Sequence, residues 1–364
     1  MGATDAIQAQ KKATDYCTFC PKMCRFGCPV AEATKKESHT PTAKVTSLRL
    51  VREAKVELTA DVASQFYACT GCGQSRNLCA HRIEVPPQLY AGRALAVERG
   101  VAPPSAARLA ATLKECGNRY GPSLDARVGD LESSGMKDPN AVLFVGCVTA
   151  RHFPENVRDT ARLLSRIGVR ARVYRADALC SGYPALAMGL PEEARRLAGI
   201  HGKALANAGR VVAGCPACVH MLRNVYPTFG VRLRAEVWHV AEILAERLKT
   251  GALHIARKKG PPILYHDPCH LGRTLGVYDA PRALLSRARE APLLEFPWKR
   301  RDAECSGGGG VLPLVMPEVA LRIARNRLAQ APSAEADLVT ACPSCLRMFQ
   351  KAGRPARDLV NVLE

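Results

Sequence analysis

Arg210-Val-Val-Ala-Gly-Cys-Pro-Ala-Cys218 and Asp337-Leu-Val-Thr-Ala-Cys-Pro-Ser-Cys345 share one layout: a short apolar run, then a Cys-Pro-x-Cys quartet. The quartets stand 342 − 215 = 127 residues apart, and 345 − 218 gives 127 again. Working outward, Cys147 follows the apolar run Ala141-Val-Leu-Phe-Val145, and Cys269 follows Ile263–Tyr265, an offset of 269 − 147 = 122. Between them lie Cys180-Ser181-Gly182 and Cys305-Ser306-Gly307, with 305 − 180 = 125. Eight cysteines that keep register over this distance imply a duplicated domain, each copy gathering four thiols. Helical patterns at Pro154–Ile167, Pro191–Ala208 and Ala217–Tyr226 alternate with strand-like runs, among them Ala171–Tyr174. The second half repeats the scheme with Pro281–Arg289, Leu293–Phe296, Pro317–Ala331 and Asp337–Ala341. Short apolar strands alternating with helices predict two α/β units with parallel sheets. Two of the three cysteine groups in each unit follow strand C-termini, the edge where open parallel sheets place ligands.

A length of 364 residues exceeds what one hydrophobic core usually organises. The expected division is an all-α segment over 1–105, a linker over 106–140 and cysteine-rich α/β domains over 141–250 and 251–364. Pro103-Pro104 and the turn-rich stretch Gly121 to Asn140 read as connectors. Helical patterning is expected at Thr42–Leu58 and Pro87–Arg99, and residues 1–16 read as a frayed or helical lead-in. Met1–Tyr16 is polar, without the apolar core of a signal peptide, and no apolar run approaches the roughly 18 residues of a membrane span. Sixteen cysteines in C-x-x-C style pairs then point to metal or redox sites rather than disulfides. The expected compartment is the cytoplasm, with a peripheral place on the inner face of the membrane as a variant. A formal charge of +19 suits an acidic partner protein or an anionic membrane surface, and anionic clusters would offset part of it. Nucleic acid is not expected, since no binding motif accompanies the charge.

The N-terminal segment holds seven further cysteines. Cys17-x2-Cys20-x3-Cys24-x3-Cys28-Pro29 has bacterial ferredoxin spacing with one residue added before the third cysteine. A second run, Cys69-x2-Cys72-x2-Ser75-x3-Cys79-Ala80, has serine at the third position and alanine for the usual proline. Three closely spaced thiolates wrap three corners of a cubane, and the fourth reaches the neighbouring cluster. That rule gives cluster one Cys17, Cys20, Cys24 and Cys79. Cluster two receives Cys28, Cys69 and Cys72, with Ser75 where a fourth thiolate would stand. The expected cofactors are [4Fe–4S] clusters, with cluster two a [3Fe–4S] centre or a [4Fe–4S] centre completed by Ser75, His81 or a small ligand. Paired zinc knuckles are the alternative.

Tyr265-His-Asp-Pro-Cys-His-Leu-Gly-Arg273, Cys305-Ser-Gly-Gly-Gly-Gly310 and Ala341-Cys-Pro-Ser-Cys345 resemble the cysteine-rich CCG domain family. That family includes heterodisulfide reductase subunits and the iron–sulfur subunits of glycolate, lactate and glycerol-3-phosphate oxidoreductases. The order of a two-cluster ferredoxin followed by two such domains is similar to those subunits over nearly the whole chain. The first copy matches through Gly146-Cys147, Cys180-Ser-Gly182 and Cys215-Pro-Ala-Cys218. Both copies read Cys-Ser-Gly where the family has Cys-Cys-Gly, so the five-cysteine set of the disulfide-cleaving non-cubane cluster is incomplete. The sets Cys147, Cys180, Cys215, Cys218 and Cys269, Cys305, Cys342, Cys345 then fit a four-thiolate cluster, a zinc ion or a vestigial site.

The resemblance implies an electron-transfer subunit beside a flavoprotein dehydrogenase for a 2-hydroxy acid or glycerol 3-phosphate, delivering to a quinone-linked or other acceptor. No G-x-G-x-x-G follows a strand, so flavin or nicotinamide binding is not expected here. A heterodisulfide-reductase-like catalytic subunit and a zinc-stabilised scaffold are the alternatives. The run Gly307–Gly310 reads either as a donor of backbone N–H groups to sulfur or as a tight loop. His266 and His270 flank Cys269 as second-layer donors or loop histidines, and His239 reads as a helical residue. Cys116 belongs to neither pattern.

Overall fold

The computed structural model describes residues 2–20, 22–124, 141–174 and 180–364. Most of the turn-rich stretch Gly121–Asn140 therefore lies outside the described residues. Chain contacts divide the protein into two units with interleaved boundaries. The first comprises Met1–Ala111, Pro184–Glu192 and Glu304–Ala329; the second comprises Thr112–Tyr183, Glu193–Ala303 and Gln330–Glu364.

The N-terminal part of the first unit is all helix: α1 (Ala3–Ala9), α2 (Lys11–Phe19), α3 (Pro29–Thr34), α4 (Pro41–Arg52), α5 (Ala60–Tyr67), α6 (Gln74–Asn77) and α7 (Val85–Glu98). Local chemistry sets these boundaries. Thr40 caps α4 by accepting the Ala43 N–H at 3.3 Å, with Pro41 in the first turn, and Thr59 caps α5 by accepting from Val62. The helix expected to run to Leu58 stops at Arg52, because Ala54 takes a left-handed conformation (φ 53°). Val45, Leu48 and Val51 of α4 meet Phe66 of α5 and Leu89 and Leu95 of α7 in one core.

The stretch 106–116, expected as linker, is instead helical: α8 spans Pro104–Cys116. Pro104 starts it, and Ala106, Leu109 and Leu113 form a buried stripe at helical spacing.

The second unit contains two four-stranded parallel sheets. The first has strands β1 (Ala141–Phe144), β2 (Ala171–Val173), β3 (Arg210–Ala213) and β4 (Glu236–His239), in the order β2-β1-β3-β4. The second has β5 (Ile263–His266), β6 (Leu294–Glu295), β7 (Asp337–Thr340) and β8 (Ala356–Asp358), in the order β6-β5-β7-β8. Strand starts repeat the cysteine offsets: 263 − 141 = 122 for β5 and β1, and 337 − 210 = 127 for β7 and β3. The α/β class and the duplication are as the pattern predicts. Of the edge strands, β2 and β6 are as the pattern predicts, whereas β4 and β8, which carry the exposed charged residues Glu236 and Arg357, escape it. His239 accordingly ends a strand. Its Nδ1 accepts the Ala241 N–H at 3.2 Å and caps the helix Val240–Lys249, a structural task that accounts for its burial.

Asp358 caps the C-terminal helix in the same way, accepting the Val360 N–H at 3.2 Å. Burial pushes its carboxyl up to about 7 from an ordinary 3.8, with Asp159 and Glu155 adding to the rise against the backbone donors. A carboxyl that binds its proton more tightly when folded contributes stability that is complete below about pH 4 and lost as pH rises through 7. Asp358→Asn keeps the cap and removes the penalty. Urea denaturation should show it more stable than the parent at pH 8, by up to roughly 4 kcal/mol. The two proteins should converge near pH 4, and an equal difference at both pH values would refute the assignment.

Candidate cluster sites

None of the sixteen cysteines is in a disulfide. In the first unit Cys79 is brought near Cys17, Cys20 and Cys24, and Cys28 lies near Cys24 as well as near Cys69 and Cys72. Burial pushes the Cys17 thiol up to about 12, and the neighbouring thiols of Cys24, Cys20 and Cys79 push it further the same way. Cys79 thus stands among Cys17, Cys20 and Cys24, although it lies 79 − 24 = 55 residues beyond the last of them. Cys28 turns to the other group. Burial raises its thiol, the Lys44 ammonium pulls it back, and Cys69 and Cys72 raise it again. Ser75 lies half-buried in α6. Backbone N–H groups already point at two of the sulfurs: Lys22 donates to Cys20 Sγ at 3.3 Å and Gly71 to Cys69 Sγ at 3.4 Å.

Two buried cations mark the second group, and sequence reasoning missed both. Lys44 is 1% exposed; its Nζ donates to the Ala68 carbonyl at 2.6 Å and lies 3.9 Å from Cys28 Sγ. Arg93 is completely buried and donates to four carbonyls. These are Phe66 O at 2.8 Å, Cys69 O at 3.2 Å, Gly310 O at 3.1 Å and Ala187 O. Neither cation has a carboxylate partner among the described residues. A buried charge without a counter-charge costs several kcal/mol, so an anion in the space bounded by Cys28, Cys69 and Cys72 would stabilise this arrangement. A thiolate-ligated cluster core carries that charge. The donor set therefore fits an iron–sulfur group.

The glycine run packs on the same loop. A side-chain carbon at Gly310 (φ 59°) would stand 2.4 Å from the Cys69 carbonyl oxygen, and one at Gly309 would stand 2.3 Å from that of Thr70. Close backbone approach therefore requires glycine at both places. The Cys-Ser-Gly motif has its own reason for glycine. Gly307 takes φ 84° and donates its N–H to Cys305 Sγ at 3.3 Å, and Gly182 takes φ 87° with its N–H directed to Cys180.

In the second unit the sheet register delivers the thiols. β1 and β3 are neighbours with Phe144 opposite Ala213, so Cys147 and Cys215 leave adjacent strands at the same edge. Cys218 follows one turn into the helix Pro216–His220. The four thiols form two hydrogen-bonded pairs. Cys147 is drawn down to about 7 by its bond with Cys180, against burial and with help from Arg119, while Cys180 is driven well up. Cys215 is lowered by Cys218, whose own thiol is driven up by that bond and by burial, with Ser181 bonding to it in the opposing sense. Ser181 thus meets Cys218 where the family pattern has a further thiol.

Tyr174, His201 and Tyr226 hold the Cys180-Ser181 backbone. His201 Nε2 lies 2.9 Å from the Cys180 carbonyl and its Nδ1 2.7 Å from the Tyr174 hydroxyl, and Tyr226 donates to the Ser181 carbonyl at 3.0 Å. Burial lowers His201 to about 4, so it is neutral near pH 7. Its place in the stripe Ala194, Leu197, Ala198, His201 was the available sequence signal.

In the second sheet β5 and β7 deliver Cys269 and Cys342 to one edge, with His266 opposite Thr340. Asp267 braces that turn by a bidentate bond from Arg282 at 2.8 and 2.7 Å and accepts the Arg300 N–H at 2.8 Å. Cys342 is driven well up by Cys345 and by burial. His270 Nδ1 lies 3.4 Å from Cys269 Sγ, whereas His266 packs edge-on to Phe349 at 4.8 Å. Cys305 and Ser306 belong to the first unit, and Cys269, Cys342 and Cys345 to the second. Among the described residues no group of three or more His, Cys, Asp or Glu side chains is arranged to hold a single metal ion.

The model of the CCG cysteine-rich domain matches residues 141–223 and again 263–350. The chain carries two CCG cysteine-rich domains. Each match covers the two central strands of one sheet and its Cys-Pro-x-Cys turn. Among curated proteins, this chain is 27% identical to one subunit of the dihydromethanophenazine:CoB–CoM heterodisulfide reductase of Methanosarcina mazei, covering 96% of this chain and 91% of that one. It is 28% identical to the EtfAB:quinone oxidoreductase of Syntrophomonas wolfei, over 84% of this chain and 47% of that protein. A probable iron-sulfur-binding oxidoreductase of Bacillus subtilis is 35% identical over 38% of this chain and 20% of its own length. Among the described residues no helix is long and apolar enough to cross a membrane.

Proposed function

We propose that this chain is an iron–sulfur electron-transfer subunit of an oxidoreductase complex. It would take electrons from a flavoprotein dehydrogenase of the 2-hydroxy acid or glycerol 3-phosphate type and deliver them to a quinone-linked or other acceptor. The observation that carries this reading is the pair of buried cations, Lys44 and Arg93, placed without carboxylates against the loop of Cys69. Relatives named as a heterodisulfide reductase subunit and as a quinone oxidoreductase support it.

In this reading Cys17, Cys20, Cys24 and Cys79 hold one cluster, and Cys28, Cys69 and Cys72 hold the other beside Ser75. Cys147, Cys180, Cys215 and Cys218 form a further four-thiol set. Bound clusters would supply one-electron chemistry. The chain's own residues bury the thiols, aim backbone N–H groups at sulfur and set cations beside them. The net charge of +19 suits docking to an acidic partner. We place the domain boundaries near 105, 140 and 250.

Similarity to a heterodisulfide reductase subunit along nearly the whole chain favours a second reading, catalysis of disulfide cleavage. Ser181 opposes it, since it meets Cys218 as a hydrogen-bonding hydroxyl and offers no fifth thiolate.

Electron paramagnetic resonance on anaerobically purified protein, with iron and sulfide counted, tests the assignment. We expect a [3Fe–4S] signal in the oxidised state that Ser75→Cys converts to a [4Fe–4S] one. Zinc without iron or acid-labile sulfide would overturn the electron-transfer reading, and a signal absent from the parent and unchanged in the variant would overturn the Ser75 assignment.

A further inference from the structure

We propose that a cleft beside Cys20 binds the planar headgroup of a quinone-type aromatic electron carrier, which deepens the electron-transfer reading and rests on it. The cleft measures about 850 Å³, inside the range of roughly 300–1,000 Å³ usual for small-molecule sites. It lies within the first unit, between α1, α2 and the turn that follows α6. Its walls include Lys11, Lys12, Tyr16, Phe19, Cys20 and His81.

The aromatic side chains stand in water. Phe19 is 76% and Tyr16 51% exposed, and with Met23 and Phe26 they make four of the seven large apolar side chains exposed among the described residues. Two of them, the rings of Tyr16 and Phe19, lie on the cleft wall and indicate a surface that is covered in use. Phe19 is held in place: the Arg49 guanidinium lies 4.6 Å from its centroid. Tyr16 and His81 form the other aromatic contact, with ring centroids 5.2 Å apart and planes tilted by 39°. Such rings suit stacking on a flat conjugated ligand.

Polarity narrows the class. Lys11 is paired with Asp15 at 3.1 Å, and the Asp15 carboxylate itself lines the cleft. Lys12, His81, the Gln8 amide and the Tyr16 hydroxyl are then the donors open to carbonyl or hydroxyl oxygens on a ligand's edge, and the Asp15 carboxylate disfavours a multiply charged anion such as a diphosphate. The wall also carries Cys20, one of the thiols of the Cys17 group. A ligand here would touch that group directly, as an electron carrier must approach its donor. A planar ring with oxygen atoms on its edge meets all three requirements.

The probe is 2-heptyl-4-hydroxyquinoline N-oxide, a fluorescent analogue of a quinone headgroup, titrated onto the full chain with iron and sulfide counted in the same sample. Saturable one-to-one quenching is expected. Phe19→Ala and His81→Ala should each weaken it about ten-fold or more, and Phe26→Ala, outside the cleft wall, should leave it unchanged. Linear, unsaturable quenching, or saturable quenching indifferent to Phe19→Ala and His81→Ala, overturns the site. A cluster-loaded sample that does not bind refutes the cleft alone, whereas a sample without iron refutes the electron-transfer reading.

Discussion

Arg93→Leu should destabilise the helical unit by about 4 kcal/mol or more, since each buried carbonyl left unpaired costs about 1–3 kcal/mol. Four carbonyls lose their donor at once: Phe66, Cys69, Ala187 and Gly310. They come from three separate stretches of the chain, so the loss is felt as separation of those stretches rather than as fraying of one helix. Hydrogen exchange on the full chain is the measurement. Amides of α5, α7 and the Cys69 loop should lose about a thousand-fold protection, and those of β1 and β3 should change little. Arg93→Lys should recover only part of the loss, because an ammonium cannot reproduce the planar fork that reaches several carbonyls. Protection unchanged in Arg93→Leu would show that the clamp carries no net stability.

Lys44→Met should act with opposite signs in the two states of the protein. Without a cluster the buried ammonium has one carbonyl and a neutral thiol for company, so replacing it by an apolar side chain of similar length should leave stability unchanged or raise it. With the cluster bound, the same change removes the nearest cation from a buried anion. The reduction midpoint of that cluster should then move to more negative potential, followed by the amplitude of its resonance signal. The Cys28 thiol gives a second readout: freed of the ammonium it should alkylate more slowly at pH 8. A midpoint and an alkylation rate both equal to the parent's would refute the pairing.

These two residues also show where reading the sequence stopped. The strands β1, β3, β5 and β7 were legible because each is a short apolar run ending at a cysteine, and periodicity needs nothing more. The repeat offsets then placed two parallel sheets. Lys44 and Arg93 were legible only as interruptions. Lys44 sits in the buried stripe Pro41, Lys44, Val45, Leu48 of α4, and Arg93 stands among Leu89, Gly92 and Ala96 of α7. A cation in an apolar stripe is ordinarily excluded by its desolvation cost, so its presence there is itself a signal of a buried anion. What no local pattern carries is the identity of acceptors drawn from elsewhere in the chain, such as Ala187 and Gly310 for Arg93. The edge strands β4 and β8 were missed because neither is a run of apolar residues: Glu236 and His239 bound β4, and Arg357 and Asp358 make up most of β8. The aromatic cleft was hidden because exposure cannot be inferred from composition: nothing in the sequence marks Phe19 and Tyr16 as exposed rings.

The interleaved boundaries of the two units bear on how the molecule is made. Pro184–Glu192 and Glu304–Ala329 belong to the helical unit, and each begins within a few residues of a Cys-Ser-Gly motif. During synthesis the helical unit is therefore incomplete until residue 329 has emerged, although its first thiol is made at residue 17. Seven of its thiols must wait, reduced and unburied by their final neighbours, while most of both repeats is built. Gene fragments that stop near Ala111 would deliver those thiols without the Ala187 and Gly310 carbonyls that fix Arg93. Domain-by-domain expression is thus the wrong way to divide this chain, because a cut at either sheet domain removes part of the helical unit as well.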